Sequence, residues 1–187
     1  MALTVDQLAG YIERDLDADL TRWFPDAERT AVPDARPIGP FLARLPHAAA
    51  SALAAFDRRV RAGTLPALLD VADWSYAFEF AANDCRILDT DYENELSDAD
   101  VWSLGADGGG NYFVVLADGR VALWFHEEEV IEAQTQFDDP DVFLWTLVRH
   151  HAIRTGVLNP ATIESDVRSL AQAGALAPEV GLLAGLG

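Results

Sequence analysis

The chain has no lysine, one cysteine and no long apolar run, and the last two shortages each argue against a class of protein. All 13 of its cationic side chains are arginine, set against 31 aspartates and glutamates, which leaves a net charge of −18. Nucleic-acid binding rests on cations that release counterions from phosphate, so no nucleic-acid partner is expected, and no anionic membrane surface. The arginine-only set, beside abundant alanine, reads as the codon bias of a GC-rich bacterial genome. The lone thiol, Cys85, cannot build a disulfide framework or a thiolate zinc cluster and reads as a buried, inert side chain. No run reaches the roughly 18 apolar residues of a membrane span. The opening Met1-Ala-Leu-Thr-Val-Asp lacks the basic and apolar regions of a secretory leader, so a cytoplasmic location is expected.

What is present can fold. Of 187 residues, 50% are hydrophobic and 10% aromatic, enough to bury a core as a single domain over 1–187. The expected parts are a helical portion over 1–72, a sheet over 73–126, helices over 138–174 and a tail over 175–187. Thr4 and Gln7 fit a capping box, and Leu8, Tyr11, Ile12, Leu16, Leu20, Trp23 and Phe24 recur at helical steps until Pro25. Five prolines between 25 and 46 predict an irregular connector. A helix is predicted from about Pro46 to Ala62 with Gly63 closing it, and a short one over Leu65–Leu69 capped by Thr64. Asp139-Pro140 and Asn159-Pro160 each predict a helix start. The first helix carries Phe143, Leu144, Leu147 and Val148 inward; the second carries Ile163, Val167 and Leu170 and ends at Gly174.

Between these helices the period changes to that of strands. Strands are predicted at Trp74–Phe80, Cys85–Leu88, Val101–Ala106, Asn111–Leu116 and Val121–His126. Asp118-Gly119 predicts a two-residue hairpin loop with a positive φ at Gly119. That register pairs Leu116 with Val121, Val114 with Leu123, Tyr112 with Phe125 and Asn111 with His126. It puts Tyr112, Val114, Leu116, Val121, Leu123 and Phe125 on the core face. Helices, a meandering and mostly antiparallel sheet, then helices again make an α+β fold.

Catalytic motifs are scarce. The run Gly105-Ala-Asp-Gly-Gly-Gly110 lacks the spacing and the following helix of a phosphate loop, and reads as a turn between strands. His126-Glu-Glu-Glu-Val130 starts like a zinc-binding helix but has Val130 where a second histidine is needed. His150 and His151 are adjacent and cannot chelate together from one helix face, and His47 has no evident partner. No Gly-x-Ser-x-Gly elbow or EF-hand spacing occurs. The sequence names no catalytic residue, no metal site and no cofactor, and it sets no oligomeric state.

Charge is more informative. Seven acids lie between Asp84 and Asp100 beside one arginine, and seven more between Glu127 and Asp141 with none. Together they hold −13 of the −18. The candidate partner-binding residues are Asp91, Glu93, Glu95, Asp98, Glu127, Glu128, Glu129 and Glu132. If the flanks of neighbouring strands converge, these form one acidic face for a basic protein.

The segment Trp102-Ser-Leu-Gly-Ala-Asp-Gly-Gly-Gly-Asn-Tyr-Phe113, then Asp118-Gly-Arg-Val121 with His126-Glu127, then Phe137 and Val142-Phe-Leu-Trp-Thr-Leu147, resembles the SUKH superfamily (SMI/KNR-like, with Syd and Knr relatives). Many bacterial members are immunity proteins of toxin–antitoxin-like pairs. The resemblance implies a SUKH-like fold and a non-enzymatic binding protein that occludes a toxin, and a nuclease toxin must itself be basic. Two other readings stay open: a scaffold or regulator of the same fold, and a hydrolase using carboxylates and His126.

Overall fold

A computed structural model of the chain describes residues 2–29, 31, 36–69, 76–80, 98–177 and 182. Three short helices open it, α1 (Val5–Leu8), α2 (Tyr11–Arg14) and α3 (Leu16–Trp23), where the periodicity predicts one. The capping box of Thr4 and Gln7 is present. The break after α1 has an identifiable partner. Gly10 takes a positive φ of 79°, and the Asp141 carboxylate accepts hydrogen bonds from Gly10 N (2.7 Å) and Ile12 N (2.8 Å). A buried acid from the far half of the chain thus takes the place of helix carbonyls.

The proline-rich connector contains α4 (Gly39–Leu42), a single turn. Then α5 (His47–Ala62) runs as expected to Gly63, which is left-handed at φ 68°. The helix predicted over Leu65–Leu69 is absent: Leu68–Leu69 is instead strand β1, paired with β2 (Phe78–Glu79). Of the strand predicted at Trp74–Phe80, residues 76–80 are described and only Phe78–Glu79 is strand; Cys85–Leu88 lies outside the described residues. A 3₁₀ turn, Asp98–Asp100, leads into β3 (Val101–Asp107), followed by β4 (Tyr112–Leu116), β5 (Val121–Phe125) and β6 (Val130–Phe137). Among the described residues six strands lie in chain order, every neighbouring pair antiparallel, and with the helices they make an α+β fold.

β6 is not among the predicted strands. Its alternating Ile131, Ala133, Thr135 and Phe137 are a legible strand pattern, overshadowed by the acids around them. After it, Asp139 caps α6 (Pro140–Arg154) through a bond accepted from Val142 N at 2.9 Å. α6 is buried almost all round, not along one stripe, which marks it as the central helix. Beyond the 3₁₀ turn Pro160–Thr162, α7 (Glu164–Leu170) ends at left-handed Ala171. Gly174 does not end it; it lies inside α8 (Ala173–Leu176), where a Cβ would come within 2.3 Å of the Phe137 ring.

The hairpin register differs from expectation by one residue. Val115 pairs with Val121 and Tyr112 with Trp124, and Leu116 N donates to Arg120 O at 2.8 Å. The loop is therefore three residues, Ala117-Asp-Gly119, with Gly119 at φ 90° as its left-handed member. The one-residue slip exchanges the faces of β4, while Val121, Leu123 and Phe125 of β5 keep the expected core face. Phe113, Val115, Val121 and Leu123 enter the main core with Phe143, Leu144 and Leu147 of α6 and Leu53 and Phe56 of α5. Val114 and Trp124 join Val101 in a second cluster, with Tyr112, Leu116 and Ile131 at its border. Leu116 and Val121 thus lie on opposite faces.

Candidate functional site

Two turns sit side by side at one end of the sheet. In the first, the Asp107 carboxylate accepts from Gly109 N (2.8 Å), Asn111 N (2.9 Å) and Asn111 Nδ2 (3.0 Å). Gly110 takes φ 92°, and a Cβ there would stand 3.4 Å from the His126 ring. The second turn runs from His126 to Glu129. Asn111 Oδ1 accepts from His126 N at 3.1 Å and lies 3.0 Å from its Nδ1, so Asn111 bolts one turn to the other. The expected meeting of Asn111 with His126 occurs, although in this register Asn111 stands diagonal to it.

Glu127 and Glu128 are exposed, and Glu129 is half-buried at φ 55°, a conformation uncommon outside glycine. The next residue, Val130, exposes 43% of its surface. Glu132 lies in β6. This end therefore carries Asp107, Glu127, Glu128 and Glu129 beside an exposed aliphatic side chain.

Asp98 does not join them. β3 begins where β4 ends, with Val101 paired to Leu116, whereas Phe125 and Val130 close the opposite end. The length of β4, about 15 Å at roughly 3.3 Å per residue, separates Asp98 and Asp100 from the Glu127–Glu129 turn. Asp91, Glu93 and Glu95 lie outside the described residues. The expected convergence of both acidic flanks at one sheet end is corrected on this point for Asp98. The reason is the antiparallel meander, which returns the start of β3 to the end opposite the β5–β6 turn.

The remaining titratable groups lie elsewhere. Burial pushes the Asp141 carboxyl upward, opposed by the N–H groups of Ile12 and Gly10, and burial raises Asp139 as well. His150 and His151 are buried, with rings edge to face at 5.1 Å. Burial, reinforced by Arg154, drives His150 down to about 3, and burial lowers His151 well below the ordinary range with help from His150 and Arg154. Arg149 sits over Trp145 at 4.2 Å and donates to Asp19 Oδ2 at 3.0 Å, tying α6 to α3. Among the described residues, no three His, Cys, Asp or Glu side chains group to hold a metal ion, and no helix is long and apolar enough to cross a membrane.

Sequence reasoning missed one concave feature. Arg36 and Arg44, with Pro37, Pro40, Phe41 and Trp102, line a cavity of about 260 Å³. The only sequence signal was two arginines inside a proline-rich connector.

No protein-family model matches the chain, and neither does any curated protein or solved structure.

Proposed function

We propose that the chain is a non-enzymatic protein-binding module, an immunity protein of SUKH type that neutralises a basic, nuclease-type bacterial toxin. The observation that carries this reading is the exposed acidic turn Glu127–Glu129 at one end of the sheet, in a chain of net charge −18. Two carboxylates facing solvent, a third half-buried and Asp107 in the neighbouring turn concentrate negative potential where a cationic surface would first approach. Val130 beside them offers apolar contact once the charges have met. The long-range field acts on encounter, raising association rates by about 10–10³-fold.

The partner is sought as the product of a toxin-like gene next to this one. Co-expression should rescue growth, and the two chains should co-purify. Changing Glu127, Glu128 and Glu129 together to Gln should slow association at low salt. The difference from the parent chain should shrink between about 0.01 and 0.1 M salt, where the Debye length falls from about 30 to 10 Å. An acidic cognate partner, or an association rate that the triple change leaves untouched at low salt, overturns the reading.

A further inference from the structure

The cavity beside α4 runs against the charge of the rest of the molecule. In a chain with 31 acids and 13 arginines, two guanidinium groups stand at one concavity. Both are held in place. Arg36 donates to the Val101 carbonyl and lies over the Trp102 ring at 4.5 Å. Arg44 donates to the Ala99 carbonyl and lies over the Phe41 ring at 5.3 Å. The Phe41 and Trp102 rings are 6.0 Å apart, so cations and aromatics alternate around one space. Positioning arginines by carbonyl bonds and ring stacking removes much of the entropy that a flexible cation would lose on binding.

Trp102 forms a closed wall of the same space: it is 1% exposed, and its indole Nε1 is buried away from the cavity's occupant. Pro37, Pro40 and Phe41 supply apolar wall. At about 260 Å³ the space is just under the ~300–1,000 Å³ of drug-sized pockets, so the occupant is small.

From this arrangement we infer that the cavity binds a small organic carboxylate. Its anionic group meets the Arg36 and Arg44 guanidiniums, and its flat apolar body rests against Phe41 and the prolines. Planar, multi-donor guanidinium suits carboxylate better than a point cation would. The Asp100 carboxylate opposes binding at Arg44. Asp100 Oδ1 stands 3.6 Å from Arg44 Nη1, both side chains 41% exposed. Such a half-exposed pair is worth little, and an incoming carboxylate competes with it for Arg44.

Calorimetric titration of the full chain with benzoate, and with neutral benzamide of the same shape, tests this. Benzoate should saturate with a dissociation constant of about 1 mM or tighter, and benzamide should bind at least ~10-fold more weakly. Arg44→Gln should weaken benzoate by about 10-fold, while Asp100→Asn, which removes the competitor, should tighten it. If Arg44→Gln fails to fold, the Asp100→Asn arm decides alone. Equal binding of benzoate and benzamide, no saturation below about 10 mM, or a benzoate affinity that Asp100→Asn leaves unchanged or weakens overturns the inference.

Discussion

The two ends of the central hairpin are built from similar residues and serve opposite purposes. At one end, the loop Ala117-Asp-Gly119 lies against α5, with Gly119 buried and the position of its missing Cβ only 2.7 Å from the Ala49 methyl. Arg120 N and Nε both donate to Asp118 there. Burial alone would raise the Asp118 carboxyl, but those bonds hold it below its ordinary range. At the other end, His126–Glu129 projects two free-standing carboxylates into solvent and tolerates a left-handed glutamate. A turn that packs on a helix is constrained by volume. One that faces water is free to be chosen for charge.

The sharpest break in this comparison comes from Gly119→Val. It places a β-branched residue at φ 90° and drives its Cβ into Ala49, so stability should drop by about 3 kcal/mol in urea unfolding. An unchanged midpoint would show that the loop is not docked.

A smaller effect separates the packed interior from the open end by pH. The folded pKa values of His150 and His151 are depressed, so the unfolded chain binds more protons as pH falls below 6.5. Their contribution is therefore complete above 6.5 and is lost as pH falls toward the folded value, about 3 for His150. The slope should approach ~1.4 kcal/mol per pH unit for each histidine below the unfolded pKa. Asp139 and Asp141, raised by burial, act in the opposite direction at lower pH, so the window from about pH 6.5 to 5 reads the histidines most directly. Urea unfolding across that window should lose its slope in a His150→Leu, His151→Phe double variant.

Glycine should have opposite signs at the two turns. Glu129→Gly relieves a left-handed side chain and should stabilise by about 0.5–1 kcal/mol, whereas the loss of glycine at 119 destabilises. A thermal melt of each single variant checks the contrast. The smallest expected effect belongs to the double Gln change at 127 and 128, within about 0.5 kcal/mol of the parent, because both side chains are exposed. A large loss of stability there would make the acidic turn a structural element.

Legibility in the sequence followed the same division. Gly63 at a helix end, Asp139-Pro140 at a helix start and the positive φ of Gly119 were readable because each rests on local backbone chemistry. The register was not. Tyr112-Phe-Val-Val-Leu116 is apolar on both faces, so no polar residue penalises a slip of one, and Asp-Gly suits both two- and three-residue loops. The break at Gly10 was hidden for another reason: the carboxylate that stabilises it arrives 131 residues later. The acidic turn could be found by counting charges. Its separation from Asp98 depends on strand direction, and the cavity of Arg36 and Arg44 depends on two distant segments meeting.

The Asp141 clamp has a consequence for the order of events during synthesis. The first two dozen residues leave the ribosome early, but the acceptor for Gly10 and Ile12 N–H is translated some 130 residues afterwards. Arg149, which holds Asp19, comes later still. Short helices of four to eight residues do not persist alone in water. The amino-terminal helices can meet Arg58 and Arg59 of α5 through Glu13 and Asp17 early, but the break at Gly10 and the tie at Asp19 are completed only once α6 has been made.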